Sequence, residues 1–348
     1  MKSIFYYISN QVLNNLIELE IARNELKRFD LDQEMLRKTE SEKFTENMLH
    51  ISNILGNPQT YKDIEKFAEM KIEIGNDLSK QILNNYRNIL EYFKANETNN
   101  YIDINVNMLI HINKILIMGW KEEWEAGLRN DEKINLMFDD LEEFIDGSIG
   151  LTNIHFETQE NIDWYKNNII RIHPIIRIGV LIYRLIRIMP FRNLNKLSII
   201  ATTQFLLQKN RYLNPYGIAV SKIFDKNNAL FINTLKTCLN DENENLTGWL
   251  EVFTNSLSDE YKTLLSKMQE LSQVQSKVEE KPFMDMNKRQ LKILRYLQSI
   301  PTVKREDYIQ MFDVSTMTAY RDLNALVKKK LLKIEGEGRA THYKLSNR

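Results

Sequence analysis

Cysteine is nearly missing from this chain of 348 residues: there is one, Cys238. A single thiol excludes an intramolecular disulfide and any multi-cysteine metal site, and it suits a reducing, cytoplasmic compartment. Glycine (11) and proline (6) are scarce, so little interrupts regular structure. The long periodic stretches between them predict a mainly α protein. Net charge is absent as well, 47 Lys+Arg balancing 47 Asp+Glu. With 43% hydrophobic and 27% charged residues the composition is that of a globular chain and argues against disorder.

No stretch is apolar enough to predict a membrane span. The longest candidate, residues 169–191, contains Arg171, Arg177, Arg184 and Arg187. Each would cost roughly 2.5–3.5 kcal/mol at the bilayer centre. The expectation is a buried helix whose arginines form ion pairs. The start of the chain, "MKSIFYYISNQVLNNLIELE", lacks the apolar core and small-residue cleavage site of a signal peptide. His50, His111 and His155 have no partner at metal-ligand spacing, and His173 reads as a structural hydrogen-bonding residue. Trp120 and Trp124, four residues apart, read as core or interface packing rather than a binding platform.

What is present is organised unevenly. Residues 283–348 hold 14 Lys+Arg against 7 Asp+Glu, a net of +7, which leaves 33 against 40, a net of −7, for residues 1–282. A basic C-terminal segment on an acidic body points toward nucleic acid. Helices are expected over much of residues 1–75, then about 76–93, 105–119, 132–145, 161–188, 194–208, 214–239 and 246–270. Thr60 with Asp63 forms a short capping box. The His-Pro pair at 173–174 is placed to bend or split the fifth of these. The polar stretch "SQVQSKVEEKPF" is the best linker candidate. These breaks divide the chain into an N-terminal helical region (1–78), a helical core (79–258), a helical or polar linker (259–282) and a C-terminal domain (283–348).

In that last domain, Leu291, Leu294 and Leu297 stripe one helix. A short second helix follows, then a third with Ser315 as its N-cap, then two strand-like runs around "EGEGRA". Three helices plus a hairpin make a winged helix-turn-helix. Its third helix would enter the major groove of DNA, with Thr316, Thr318, Tyr320 and Arg321 toward the bases. Arg339 at the hairpin tip would meet phosphate or the minor groove. Ala319, Leu323 and Leu326 have the spacing of the buried face. The pattern Ser315, Thr318, Ala319, Arg321, Asp322, Leu323, Leu326 resembles the third helix of bacterial winged-helix regulators.

The middle of the chain carries "HPIIRIGVLIYRLIRIMPFRNLNKLSIIATTQFLL". It resembles the core of the Fic family (filamentation induced by cAMP), many active members of which transfer AMP from ATP to a protein hydroxyl. The family's motif is H-P-F-x-(D/E)-G-N-(G/K)-R. His173 and Pro174 resemble its lead-in, and Pro190, Phe191, Asn195 and Lys196 match the motif itself. Residues 82–93 are similar to an early core helix. Residues 112–130 are similar to an H-x-x-L…G-x-x-R segment, with Asn113 for the His and Arg129 one residue early. "SNILGN" resembles the family's inhibitory S-x-I-E-G, with Leu55 for the Glu.

The resemblance implies a Fic-like helical bundle with an N-terminal extension and a winged helix. The departures imply lost chemistry. Met189 stands for the general base, and a thioether accepts a proton poorly. Asn193 stands for the acidic Mg²⁺ ligand. Leu194 replaces a glycine, Leu197 the phosphate-binding arginine, and Ile200 a second arginine. There is no room for the flap hairpin that aligns a target peptide. Asn195 and Lys196 remain as a nucleotide-binding remnant. The expectation is a catalytically inactive, DNA-binding regulator, cytoplasmic, with no cofactor or metal, no membrane, and a homodimer or protein partner on the helical core. The alternative is a protein AMP-transferase using ATP and Mg²⁺.

Overall fold

The computed structural model describes residues 5–29, 33–69, 77–98, 102–130, 134–135, 153–213, 217–225, 229–241, 244–284, 286–336 and 341–346. They fall in two compact units, Met1–Gln269 and Glu270–Arg348. The first unit contains α1 (Asn10–Leu26), α2 (Gln33–Ile54), α3 (Tyr61–Glu69), α4 (Leu78–Ala95), α5 (Val106–Ile117), α6 (Ile154–Asn167), α7 (Pro174–Ile188), α8 (Asn195–Lys209), α9 (Ala229–Asn240) and the start of α10 (Thr247–Met284). The second contains α11 (Lys288–Ser299), α12 (Arg305–Phe312), α13 (Thr316–Lys328), β1 (Leu332–Glu335) and β2 (His342–Leu345).

Helix starts follow local capping chemistry. Asp77 accepts the N–H of Lys80, and Asn105 that of Met108, each satisfying an otherwise orphaned donor. The Thr60–Asp63 box forms as expected, Thr60 Oγ1 accepting from the Asp63 N–H and Asp63 Oδ2 accepting back from Thr60. The helix expected over 161–188 is split. Pro174 occupies the first turn of α7, where its missing N–H costs nothing, and it holds His173 extended at ψ 136°. His173 Nδ1 accepts the Ile175 N–H, the structural role expected of it.

Helix α7 lies at the centre of the first unit. Every residue from Ile175 to Ile188 is buried, and the helix packs against α6 and α8. Gly179 lets α10 approach: Trp249 Nε1 donates to its carbonyl at 2.8 Å. The arginines of α7 divide. Arg187 and Arg184 face Glu244 at 2.8 and 3.7 Å, the ion pairs expected. Arg177 corrects that expectation, because it has no carboxylate partner among the described residues. It donates to the carbonyls of Tyr165 and Ile172 and to Asn210 Oδ1, and lies 4.6 Å from the Tyr165 ring.

Other boundaries also differ from the sequence expectation. In place of one helix over 214–239 the chain makes a 3₁₀ turn, Val220–Phe224, and then α9. Asn47 on α2 is the reason. Its amide takes the Ile218 carbonyl and the Ser221 N–H, which satisfies that backbone without helix. Helix α10 continues past 270 to Met284. The helix expected over 132–145 lies outside the described residues except for Ile134 and Asn135, which are not helical. Trp124 is 73% exposed beyond the end of α5, so of the core or interface packing expected of it the core role does not hold.

The second unit is a winged helix, as the sequence predicts. Ile293, Leu294 and Leu297 of α11, Tyr308 of α12, Ala319, Leu323 and Leu326 of α13, and Leu332 and Tyr343 of the strands form one core with Val303. β1 and β2 pair antiparallel, Leu332 opposite Leu345 and Glu335 opposite His342. Val303 bridges Tyr343 as a third short edge. Asn287 and Gln290 close a capping box at the start of α11.

Candidate functional site

The loop from Met189 to Leu194 turns the chain from α7 into α8. Both ends of it are left-handed: Met189 has φ 43° and Leu194 φ 55°. For residues with a Cβ this conformation costs about 1–2 kcal/mol. A glycine would avoid the cost, which accounts physically for the family's glycine at the Leu194 position. The strain is held by side chains around the loop. Asn195 clamps it, Oδ1 accepting the Phe191 N–H at 2.9 Å and Nδ2 donating to the Phe191 carbonyl at 2.8 Å. Arg129 caps the end of α7, donating to the Met189 carbonyl at 2.8 Å and the Ile188 carbonyl at 3.1 Å. Asn113 Nδ2 donates to the Asn193 carbonyl and to Ser198 Oγ, at 2.8 and 3.0 Å.

The loop is bridged from a second segment as well. Arg129 N–H donates to the Pro190 carbonyl and Asn135 N–H to the Arg192 carbonyl. Leu128 thereby faces Phe191, and Asn135 faces Asn193. Asn113 and Arg129, which matched the family only loosely in sequence, are thus two of the residues that hold the loop.

The side chains at the chemistry-bearing positions point into the core. Met189, Leu197, Ile200 and Asn195 are 0% exposed, and Asn193, Leu194 and Lys196 are 1%. Asn193 Oδ1 is taken by Asn135 Nδ2 at 3.0 Å. Asn193 Nδ2 and Asn113 Oδ1 are buried without a partner. The N-cap position of α8 is Leu194, which makes no side-chain cap. This donor set does not fit a divalent cation, since a hard dication needs free, preferably anionic oxygens. Among the described residues no group of three or more His, Cys, Asp or Glu is placed to hold a metal ion.

The second candidate surface is α13. Ser315 Oγ accepts the Thr318 N–H and lies 3.0 Å from Thr318 Oγ1, so the expected N-cap forms and the Thr318 hydroxyl is engaged by it. Thr316, Tyr320 and Arg321 are exposed, whereas Thr318 is half-buried. Met317, 60% exposed, stands among them and was missed in the sequence reading. Its spacing from Tyr320 and Arg321, three and four residues, was the signal that placed it on the same face. Arg339 lies outside the described residues. Behind this surface Asp322 accepts from Asn287 Nδ2 at 2.7 Å, Arg289 Nε at 2.9 Å and the Tyr308 hydroxyl at 3.0 Å, joining α11, α12 and α13. Burial first, then the Asp322 carboxylate, holds the Tyr308 hydroxyl well above its usual range.

Architecture and site together define a Fic-type helical body followed by a winged helix-turn-helix. Comparison with known proteins agrees. Residues 289–341 match the DeoR-like helix-turn-helix domain. The fold is that of a Fic family protein from Desulfovibrio desulfuricans G20 (TM-score 0.58, 14% identity, covering 99% of each chain). It is shared by a Fic domain containing signaling protein from Bacteroides thetaiotaomicron (0.55, 16%, 76% of this chain and 98% of that one). Fic-1 from C. elegans is also similar (0.56, 12%, 76% and 74%). A sequence search of curated proteins finds no significant match. Among the described residues no helix is long and apolar enough to cross a membrane.

Proposed function

We propose that this chain is a DNA-binding regulator whose Fic-type body is catalytically inactive. The observation that carries the reading is the capped, exposed N-terminal turn of α13 in a domain of net charge +7. Thr316, Tyr320 and Arg321 meet base edges, and the surrounding lysines and arginines meet phosphate. Inactivity is supported by the chemistry of the closed loop. A buried thioether takes the place of the base and an engaged amide that of the metal ligand. Asn195 is committed to Phe191, and Lys196 is sealed beside it, so neither remnant residue faces a nucleotide. The body acts as a scaffold for a homodimer, which would set two winged helices on paired half-sites.

Retardation of duplex DNA by the full chain tests the reading. Binding should weaken steeply with salt, because each neutralised phosphate releases counterions. Changing Tyr320 and Arg321 together to Ala should cost roughly 2–6 kcal/mol, one to three per base contact. Binding unaffected by the pair would refute the placement of α13. For the body, Mg-ATP should leave the melting temperature unchanged, since only a ligand that binds the native state raises it. Transfer of labelled AMP onto any polypeptide would overturn inactivity.

A further inference from the structure

We infer that Met317 and Tyr320 read thymine methyl groups, so that the preferred DNA carries thymines at neighbouring steps under the N-terminal half of α13. This rests on the DNA-binding reading above and adds to it the base chemistry recognised. Met317 and Tyr320 are the two large apolar side chains that α13 leaves in solvent, 60% and 47% exposed. They are three residues apart, which makes them neighbours on one helix face. That face is opposite Ala319, Leu323 and Leu326, which fill the domain core. Arg321, four residues from Met317, shares it.

The polar alternatives on this turn are few. The hydroxyls of Ser315 and Thr318 lie 3.0 Å apart at the helix cap, one engaged with the other. The N-terminal part of the face is left with Thr316, Arg321, the Tyr320 hydroxyl and the apolar bodies of Met317 and Tyr320, with Asn324 one turn further on. In the major groove the C5-methyl of thymine is the apolar group that base edges offer. Three residues of helix rise by about 4.5 Å, against about 3.4 Å between successive base pairs. Met317 and Tyr320 therefore span adjacent or next-but-one steps. Arg321 is left for a guanine or a phosphate beside them.

The test uses the full chain. A duplex is first selected from random sequence, then each thymine is replaced singly by uracil. That change removes the methyl and leaves the major-groove hydrogen-bonding groups in place. Uracil at one or two positions should weaken binding about fourfold each, the value of one buried methyl. One penalty should vanish in Met317→Ala and the other in Tyr320→Ala, while Arg321→Ala retains both. Unchanged melting temperatures would establish that these exposed substitutions leave the fold intact. Selected duplexes without thymine, uracil duplexes that bind as well as the parent, or penalties that persist in both variants would overturn the inference. In each of those cases salt-dependent DNA binding still stands, whereas failure to retain any duplex at low salt would refute both readings.

Discussion

Replace Asp322 by Ala, and the winged helix loses a carboxylate that joins its three helices. Three donors converge on it: Asn287 Nδ2, Arg289 Nε and the Tyr308 hydroxyl. They do not weigh equally. Arg289 reaches solvent and can be rehydrated, so its ion pair contributes little on its own. Tyr308 is 0% exposed, and its hydroxyl would be left in the core without an acceptor. An unsatisfied buried group costs about 1–3 kcal/mol, and a lost hydrogen bond to a charged group about 1.5–3. The expected total is about 3–5 kcal/mol, in the range seen when one partner of a buried charged network is removed. A domain of this size is stabilised by only about 4–12 kcal/mol, so much of its stability would go.

Hydrogen exchange resolved by segment is the assay. Amides of α11, α12, α13 and the β-pair should lose protection by about two to four orders of magnitude. Those of α7 and α8, in the separate compact unit, should not change. Asp322→Asn retains an acceptor and should cost about 1–2 kcal/mol. Tyr308→Phe combined with Asp322→Ala should show a coupling of at least about 0.5 kcal/mol. A loss below about 1 kcal/mol for Asp322→Ala, or equal deprotection in α7, would refute the assignment of Asp322 as the joint of the domain.

Three further predictions concern the body. Leu194→Gly and Leu194→Ala should be destabilised about equally, by ~2–5 kcal/mol, because release of ~1–2 kcal/mol of left-handed strain offsets the extra methyl and backbone freedom lost. At Leu197, inside α8, Gly should instead fall about 1–2 kcal/mol below Ala; equal gaps at the two sites in thermal melts would count against the strain. Gly179→Ala should destabilise by about 1–3 kcal/mol despite better helix propensity, since the new Cβ would stand 2.9 Å from Leu250 Cδ2 and 3.1 Å from Phe253 Cδ1; a raised melting temperature would contradict it. Glu20 is held at about 2, first by its hydrogen bond from His173, then by Tyr212 and Arg23 against the opposing effect of burial. Because this folded value lies below the unfolded one, the stability is present above about pH 4.5 and lost as the pH falls toward 2. The group is partly exposed, so about 1 kcal/mol remains after solvent screening. Glu20→Gln should flatten the stability profile over that window and leave it parallel to the parent's above it.

How much of this was legible in the sequence depends on how far away the deciding group lies. The buried face of α13 and the Ser315 cap were readable because every partner is within a few residues. The first part of the helix expected over 214–239 was not, because Asn47, more than 170 residues away, satisfies the backbone of Ile218 and Ser221. Arg177 misled for a related reason: at its position the acceptors are carbonyls, which a sequence does not display as charge. Met317 was legible from its spacing to Tyr320 and Arg321 but was overlooked because only polar and charged residues were sought on the exposed face.

The motif loop combines the two cases. Its altered letters were plain: methionine for histidine, asparagine for an acid, leucine for glycine and arginine. That the loop would nonetheless keep two left-handed residues was not, since leucine disfavours that conformation. What holds the shape is a separate set of groups: the Asn195 amide on Phe191, Arg129 on the end of α7, and Asn113 on Asn193. None of these occupies the base, metal or arginine positions of the family motif. Asn195 belongs to both the motif and this clamp, but the other shape-holding side chains differ from those at the base, metal and arginine positions, so the altered letters leave the shape in place. The loop stays buried, and Phe191 and Leu197 keep α7 and α8 packed on either side of it. The two left-handed residues of this turn are therefore retained by those hydrogen bonds together with the packing around them.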